Sequence, residues 1–117
     1  MANQRVLYAE DEVTNRRLLQ IQLQRNGITC DLASDGIQAL ELYRNESYGV
    51  IILDQYMPGM NGDQVAREIL RDNPEAVLIA ITSDDSELQS LEQAGFREVF
   101  IKPLRGKEYI EIIKSYL

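Results

Sequence analysis

The chain has no histidine and no tryptophan, one cysteine, three prolines and two phenylalanines among 117 residues. Without histidine, an imidazole acting as base, metal ligand or phosphate carrier has to come from another molecule. A lone cysteine, Cys30, excludes an internal disulfide. Positive charge is also scarce, with 12 Lys and Arg against 19 Asp and Glu, a net charge of -7 and a pI near 4.5. The basic residues do not cluster, which argues against direct contact with nucleic acid. No apolar run reaches the roughly 20 residues that span a bilayer. The start, Met1-Ala2-Asn3-Gln4-Arg5, is polar and runs straight into a four-residue apolar stretch, too short for a signal peptide. The expectation is a cytoplasmic chain without a membrane segment. With 44% hydrophobic and 26% charged residues it suits one compact domain over 1–117.

What is present is a regular alternation. Val6-Leu7-Tyr8-Ala9 is strand-like and ends in Glu10-Asp11-Glu12; Val13 to Asn26, followed by Gly27, has the length and stop signal of a helix. Ile28 to Leu32 is a short second strand, and Ser34-Asp35-Gly36 opens a helix with Ile37, Leu40 and Leu42-Tyr43 toward the core. Val50-Ile51-Ile52-Leu53 is unbroken and aliphatic, as in a strand buried on both faces, and stops at Asp54. Asn61 is a plausible N-cap for a helix through Asp72 that carries Val65, Ala66, Ile69 and Leu70. Val77 to Ile81 is the fourth strand, ending in Thr82-Ser83; Asp84 or Asp85 caps a helix with Leu88, Leu91 and Ala94. Val99-Phe100-Ile101 is the fifth strand, ending in Lys102-Pro103, and Tyr109, Ile112-Ile113 and Tyr116 follow at helical spacing. Strict alternation predicts an α/β doubly wound, five-stranded parallel sheet with five helices, for which 2-1-3-4-5 is a common strand order.

Parallel strands bring Glu10-Asp11, Asp54, Thr82 and Lys102 to one sheet edge. In that strand order the first and third strands are neighbours, so the three carboxylates face one another. Such a group repels itself unless a cation sits among them, and a hard divalent ion with oxygen ligands, Mg²⁺, fits. Singly, each residue has a plain explanation: acids at a helix N-terminus, an Asp in a turn, a β-branched strand end, a solvated lysine. Together they make a coherent phosphoryl-transfer site, with Asp54 attacking and Thr82 and Lys102 holding phosphoryl oxygens.

These residues resemble, over essentially the full length, the receiver domains of bacterial two-component response regulators. The resemblance rests on Glu10-Asp11, on Asp54-Gln55-Tyr56-Met57-Pro58-Gly59-Met60-Asn61-Gly62, on Thr82-Ser83 and on Lys102-Pro103, in that order. It implies a flavodoxin-like fold and a phosphoacceptor Asp54, served by the phosphohistidine of a sensor histidine kinase or a histidine phosphotransfer protein. It implies a Mg²⁺ site of Glu10, Asp11, Asp54 and the neighbourhood of the Met57 backbone carbonyl. Lys102 would bind phosphate and precede a cis bond to Pro103, and Thr82 would move to hydrogen-bond the phosphoryl group. Such a domain is a signalling switch or relay and not an enzyme, since it catalyses only its own phosphorylation and dephosphorylation. A phosphorylation-dependent homodimer is a further expectation, as is a downstream target protein.

One departure is informative. Three residues before the lysine, where many receivers carry an aromatic that turns inward as the hydroxyl moves, this chain has Val99, and Phe100 follows on the opposite strand face. Asn15 resembles receivers attached to hybrid sensor kinases. A haloacid-dehalogenase-type phosphatase needs a second Asp where Tyr56 stands, and a nucleotide or flavin protein needs a phosphate-cradling glycine loop where Glu10-Asp11-Glu12 stands. The alternative kept is a receiver-like interaction module that works independently of phosphorylation.

Overall fold

In the computed structural model of the protein, residues 4–117 are described; Met1-Ala2-Asn3, part of the polar start noted above, lie outside them. The elements are β1 (Arg5–Ala9), α1 (Val13–Arg25), β2 (Thr29–Ala33), α2 (Gly36–Asn45), β3 (Val50–Asp54), α3 (Gly62–Asp72), β4 (Leu78–Thr82), α4 (Leu88–Gln93), β5 (Glu98–Ile101) and α5 (Glu108–Ser115). All strand pairings are parallel, in the order β2-β1-β3-β4-β5.

Strand parity sorts the core into two layers, because successive side chains leave a strand on opposite faces. Leu7, Ala9, Ile51, Leu53, Leu78 and Ala80 pack with Ala39, Leu40, Val65, Ala66, Ile69 and Leu91 of α2, α3 and α4. Val6, Tyr8, Val50, Ile52, Ile79, Ile81 and Phe100 pack with Leu19, Leu23, Tyr109, Ile110 and Ile113 of α1 and α5. Every residue of β3 and β4 is buried, which is why those segments read as unbroken apolar runs.

Helix ends follow local chemistry. Glu12 caps α1, its carboxylate accepting from the Thr14 and Asn15 amides at 3.1 and 2.9 Å. Asn61 and Gln64 form a capping box at the start of α3. After α1, Gly27 takes a left-handed φ of +76°, the conformation that ends a helix at lowest cost in glycine.

Two expectations are corrected. Ile37 does not face the core: it is 57% exposed, and Gly36, Ala39 and Leu40 are the buried residues of α2. The fourth helix is short, because Asp84 caps a single 3-10 turn, Asp85–Glu87, before α4 begins, and Leu88 is exposed. On α5 the expected Tyr109 and Ile113 are in the core, Ile112 and Tyr116 pack half-buried against it, and Ile110 joins them.

Candidate phosphoacceptor site

β1, β3, β4 and β5 end at one edge of the sheet, and the pairing Asp54↔Ile81 and Thr82↔Ile101 sets their tips level. Asp54 closes β3 and is almost fully buried. The loop after it is held from both sides. Met57 buries its side chain against the core, and the Gly62 amide donates to the Gln55 carbonyl at 2.9 Å. Gly62 has no room for a side chain, since a Cβ there would lie 2.6 Å from the Asp54 carbonyl oxygen. Glu10 extends the line of β1, its amide donating to the Ala33 carbonyl at 3.0 Å. Arg16 fastens the acidic loop by donating to the Glu10 and Asp11 carbonyls at 2.8 and 3.2 Å.

Lys102 joins these elements. Its ammonium lies 2.8 Å from Asp54 Oδ2 and 3.0 Å from Glu10 Oε1, and the Lys102–Pro103 peptide bond is cis. Glu10, Asp11 and Asp54 each offer a carboxylate oxygen within 4.8 Å of the others. Three formal negative charges thus meet one ammonium. Burial, then the neighbouring Asp54, push the Glu10 carboxyl above the usual carboxylate range, with Lys102 opposing them. Burial works to lower Lys102, but Asp54 and Glu10 outweigh it and hold the ammonium above the usual lysine value. Glu10 and Asp54 are buried and Asp11 is exposed; the surplus of oxygen-only negative charge is the donor chemistry a hard divalent cation takes, so these residues fit Mg²⁺.

Thr82, at the end of β4, is completely buried, and its hydroxyl is engaged away from Asp54 and Lys102. It donates to Glu87 Oε1 at 3.1 Å and accepts from the Asp84 amide at 3.2 Å. Tyr56, half exposed in the loop after Asp54, lies beside the same Glu87 carboxylate, and that interaction, with burial, pushes its phenol up to about 12. On β5, Val99 packs in the α2–α4 layer, whereas Phe100 packs in the other, edge-on to Tyr109 at 6.3 Å between ring centroids.

The residues around this site that sequence reasoning passed over are Tyr8, Arg16 and Glu87. Tyr8 had a signal: it lies two residues before Glu10, hence on the same strand face, and its buried hydroxyl is 3.3 Å from Glu10 Oε1. Burial, then Glu10, raise its phenol well above the tyrosine range. Glu87 had none, because its position depends on the single 3-10 turn.

Residues 6–114 match the sequence profile of the response regulator receiver domain. The chain belongs to that family. Among curated relatives, the transcriptional regulatory protein SrrA of Staphylococcus aureus is 33% identical over 119 aligned positions, covering all of this chain and 48% of SrrA. The receiver chain therefore spans about half the length of the curated relatives it matches. Among solved structures, the response regulator TrrA of Thermotoga maritima, in complex with Mg²⁺ and BeF, superposes with a TM-score of 0.90 at 33% identity, over 97% of this chain and 98% of that one. The receiver domain of the sensor histidine kinase PA1611 of Pseudomonas aeruginosa, with a magnesium ion in its active-site cleft, gives 0.88 at 27% identity, over 98% of each chain. The doubly wound architecture expected from alternation, flavodoxin-like as the resemblance implies, is the architecture these receivers share. Among the described residues no helix is long and apolar enough to cross a membrane.

Proposed function

We propose that this receiver, one domain over residues 1–117, accepts a phosphoryl group on Asp54 in a Mg²⁺-dependent reaction. The donor is the phosphohistidine of a sensor histidine kinase or histidine phosphotransfer protein, and the receiver meets it in the cytoplasm. The observation that carries the proposal is the Lys102 ammonium spanning Asp54 and Glu10 at 2.8 and 3.0 Å, where three carboxylates converge. One buried edge thus holds a nucleophile, a fixed cation and uncompensated negative charge. The Mg²⁺ complexes of TrrA and PA1611 support the reading. So does the lack of histidine, since the imidazole has to arrive on the donor.

In the step, an Asp54 carboxylate oxygen forms a bond to phosphorus as the bond from phosphorus to the donor imidazole nitrogen breaks. The electron pair stays on that nitrogen, which takes up a proton. Glu10, Asp11, Asp54 and the Met57 carbonyl region would hold Mg²⁺, which when bound supplies positive charge to the phosphoryl oxygens. Lys102 orients the Asp54 carboxylate beforehand and then has a phosphoryl oxygen within reach of the same ammonium. Thr82 contributes its hydroxyl proton once it turns from Glu87.

The test is peptide mass mapping after incubation with acetyl phosphate and Mg²⁺. One phosphoryl group on Asp54, absent with chelator and absent in Asp54→Asn, is the expected result. No modification of the folded wild type under any of these conditions favours instead an interaction module that works without phosphorylation.

A further inference from the structure

Thr82 has one hydroxyl proton, and the structure shows where it goes. A threonine hydroxyl donates once, so while Thr82 donates to Glu87 Oε1 at 3.1 Å it cannot donate to a group on Asp54. Thr82 is completely buried, so water cannot easily substitute for either partner. The acceptor is a carboxylate, which makes the bond charge-assisted. Glu87 closes the 3-10 turn Asp85–Glu87 and is half-buried. Glu87 therefore ties the turn after β4 to the side chain that has to move.

We propose that Glu87 is a positioning residue: it holds the Thr82 hydroxyl away from Asp54 in the unmodified state and has to release it before Thr82 can engage a phosphoryl group. The inference rests on Asp54 as phosphoacceptor. Release costs one charge-assisted bond, partly offset because Glu87, only half-buried, keeps contact with solvent. The latch opposes the modified state, so removing it favours that state.

The experiment titrates the full chain with beryllofluoride in saturating Mg²⁺, following amide chemical shifts, for wild type, Glu87→Ala, Glu87→Gln, Thr82→Val and the double variant Glu87→Ala with Thr82→Val. Glu87→Ala is expected to bind beryllofluoride roughly three- to tenfold tighter, the size of one modest hydrogen bond. Glu87→Gln, which keeps a weaker acceptor in the same shape, falls between. The gain disappears when Thr82→Val is already present, because the double-mutant cycle isolates the contact from the general loss of a negative charge. In ligand-free protein, Glu87→Ala also shifts the Thr82 side-chain rotamer populations read from methyl couplings. Wild type that binds beryllofluoride while Glu87→Ala binds no tighter, or equally tighter with Thr82→Val, overturns this inference alone. Folded wild type that takes no beryllofluoride overturns the phosphoacceptor reading and this inference with it.

Discussion

Glu10→Gln separates what the site costs the fold from what it does for metal binding. Glutamine preserves the shape of Glu10 and an acceptor for the Lys102 and Tyr8 contacts at 3.0 and 3.3 Å, but removes the charge. Glu10 is completely buried, and burial followed by the proximity of Asp54 raises its carboxyl above the usual range. A raised folded value means the folded state binds that proton more tightly than the unfolded chain does. Stability is therefore highest below the ordinary carboxylate value and declines as pH climbs through the raised one, the loss being complete above it. Glu10→Gln lacks this decline. Breaking a buried ion pair is costly where it strands the other charge, but Lys102 keeps Asp54 at 2.8 Å, so Glu10→Gln gives up one attraction and relieves one repulsion between carboxylates. At neutral pH the balance favours the variant slightly, by about 1 kcal/mol or less, or up to about 4 °C in Tm for a chain of this size. Mg²⁺ reverses the ranking: at about a hundredfold its Kd a ligand adds about 2.7 kcal/mol, and the variant gains less for want of one anionic oxygen. Thermal unfolding followed by circular dichroism, with chelator and with Mg²⁺, at mildly acidic and neutral pH, measures all of this. A variant that is clearly less stable than wild type in chelator at neutral pH, or that gains as much from Mg²⁺, refutes the reasoning.

Three further outcomes are expected. Gly62→Ala forces a Cβ to within 2.6 Å of the Asp54 carbonyl oxygen; it should cost about 1–3 kcal/mol in urea unfolding and slow phosphorylation of the displaced acceptor. Asp11→Asn should weaken Mg²⁺ binding in calorimetry while Glu12→Gln leaves it nearly unchanged, because the Glu12 oxygens are occupied capping α1. Val99→Tyr should enlarge the beryllofluoride-induced shift changes along β5, since Val99 gives the moving Thr82 no ring to follow and Phe100 is committed to Tyr109 on the other face; equal changes in wild type and variant would show that Val99 does not limit the switch.

Much of the fold is written in short-range patterns. Val50 to Asp54 and Leu78 to Thr82 are buried on both faces and contain no polar interruption, so both segments are recognisable as central parallel strands without knowledge of their neighbours. The convergence of Glu10, Asp54, Thr82 and Lys102 on one edge follows from parallel strands alone. The misreadings lie where the pattern is ambiguous. Ile37 is apolar at the first turn of α2, and only packing shows that Gly36 and Ala39 turn inward in its place. The 3-10 turn before α4 depends on Asp84 accepting from the Ser86 amide at 3.0 Å, a local choice between two adjacent acids. The hydroxyl partner Glu87, which bears on Thr82, is invisible to periodicity for the same reason.

The central claim is that Asp54 receives a phosphoryl group from a phosphohistidine. Its most direct measurement is intact-mass spectrometry of the chain after mixing with a phosphorylated histidine phosphotransfer domain and Mg²⁺, with Asp54→Asn and chelator controls. The account predicts gain of one phosphoryl mass by the wild type and matching loss from the donor, abolished by Asp54→Asn and by chelator. Transfer that persists in Asp54→Asn, or folded wild type that draws no phosphoryl group from any of a panel of such donors, would contradict it.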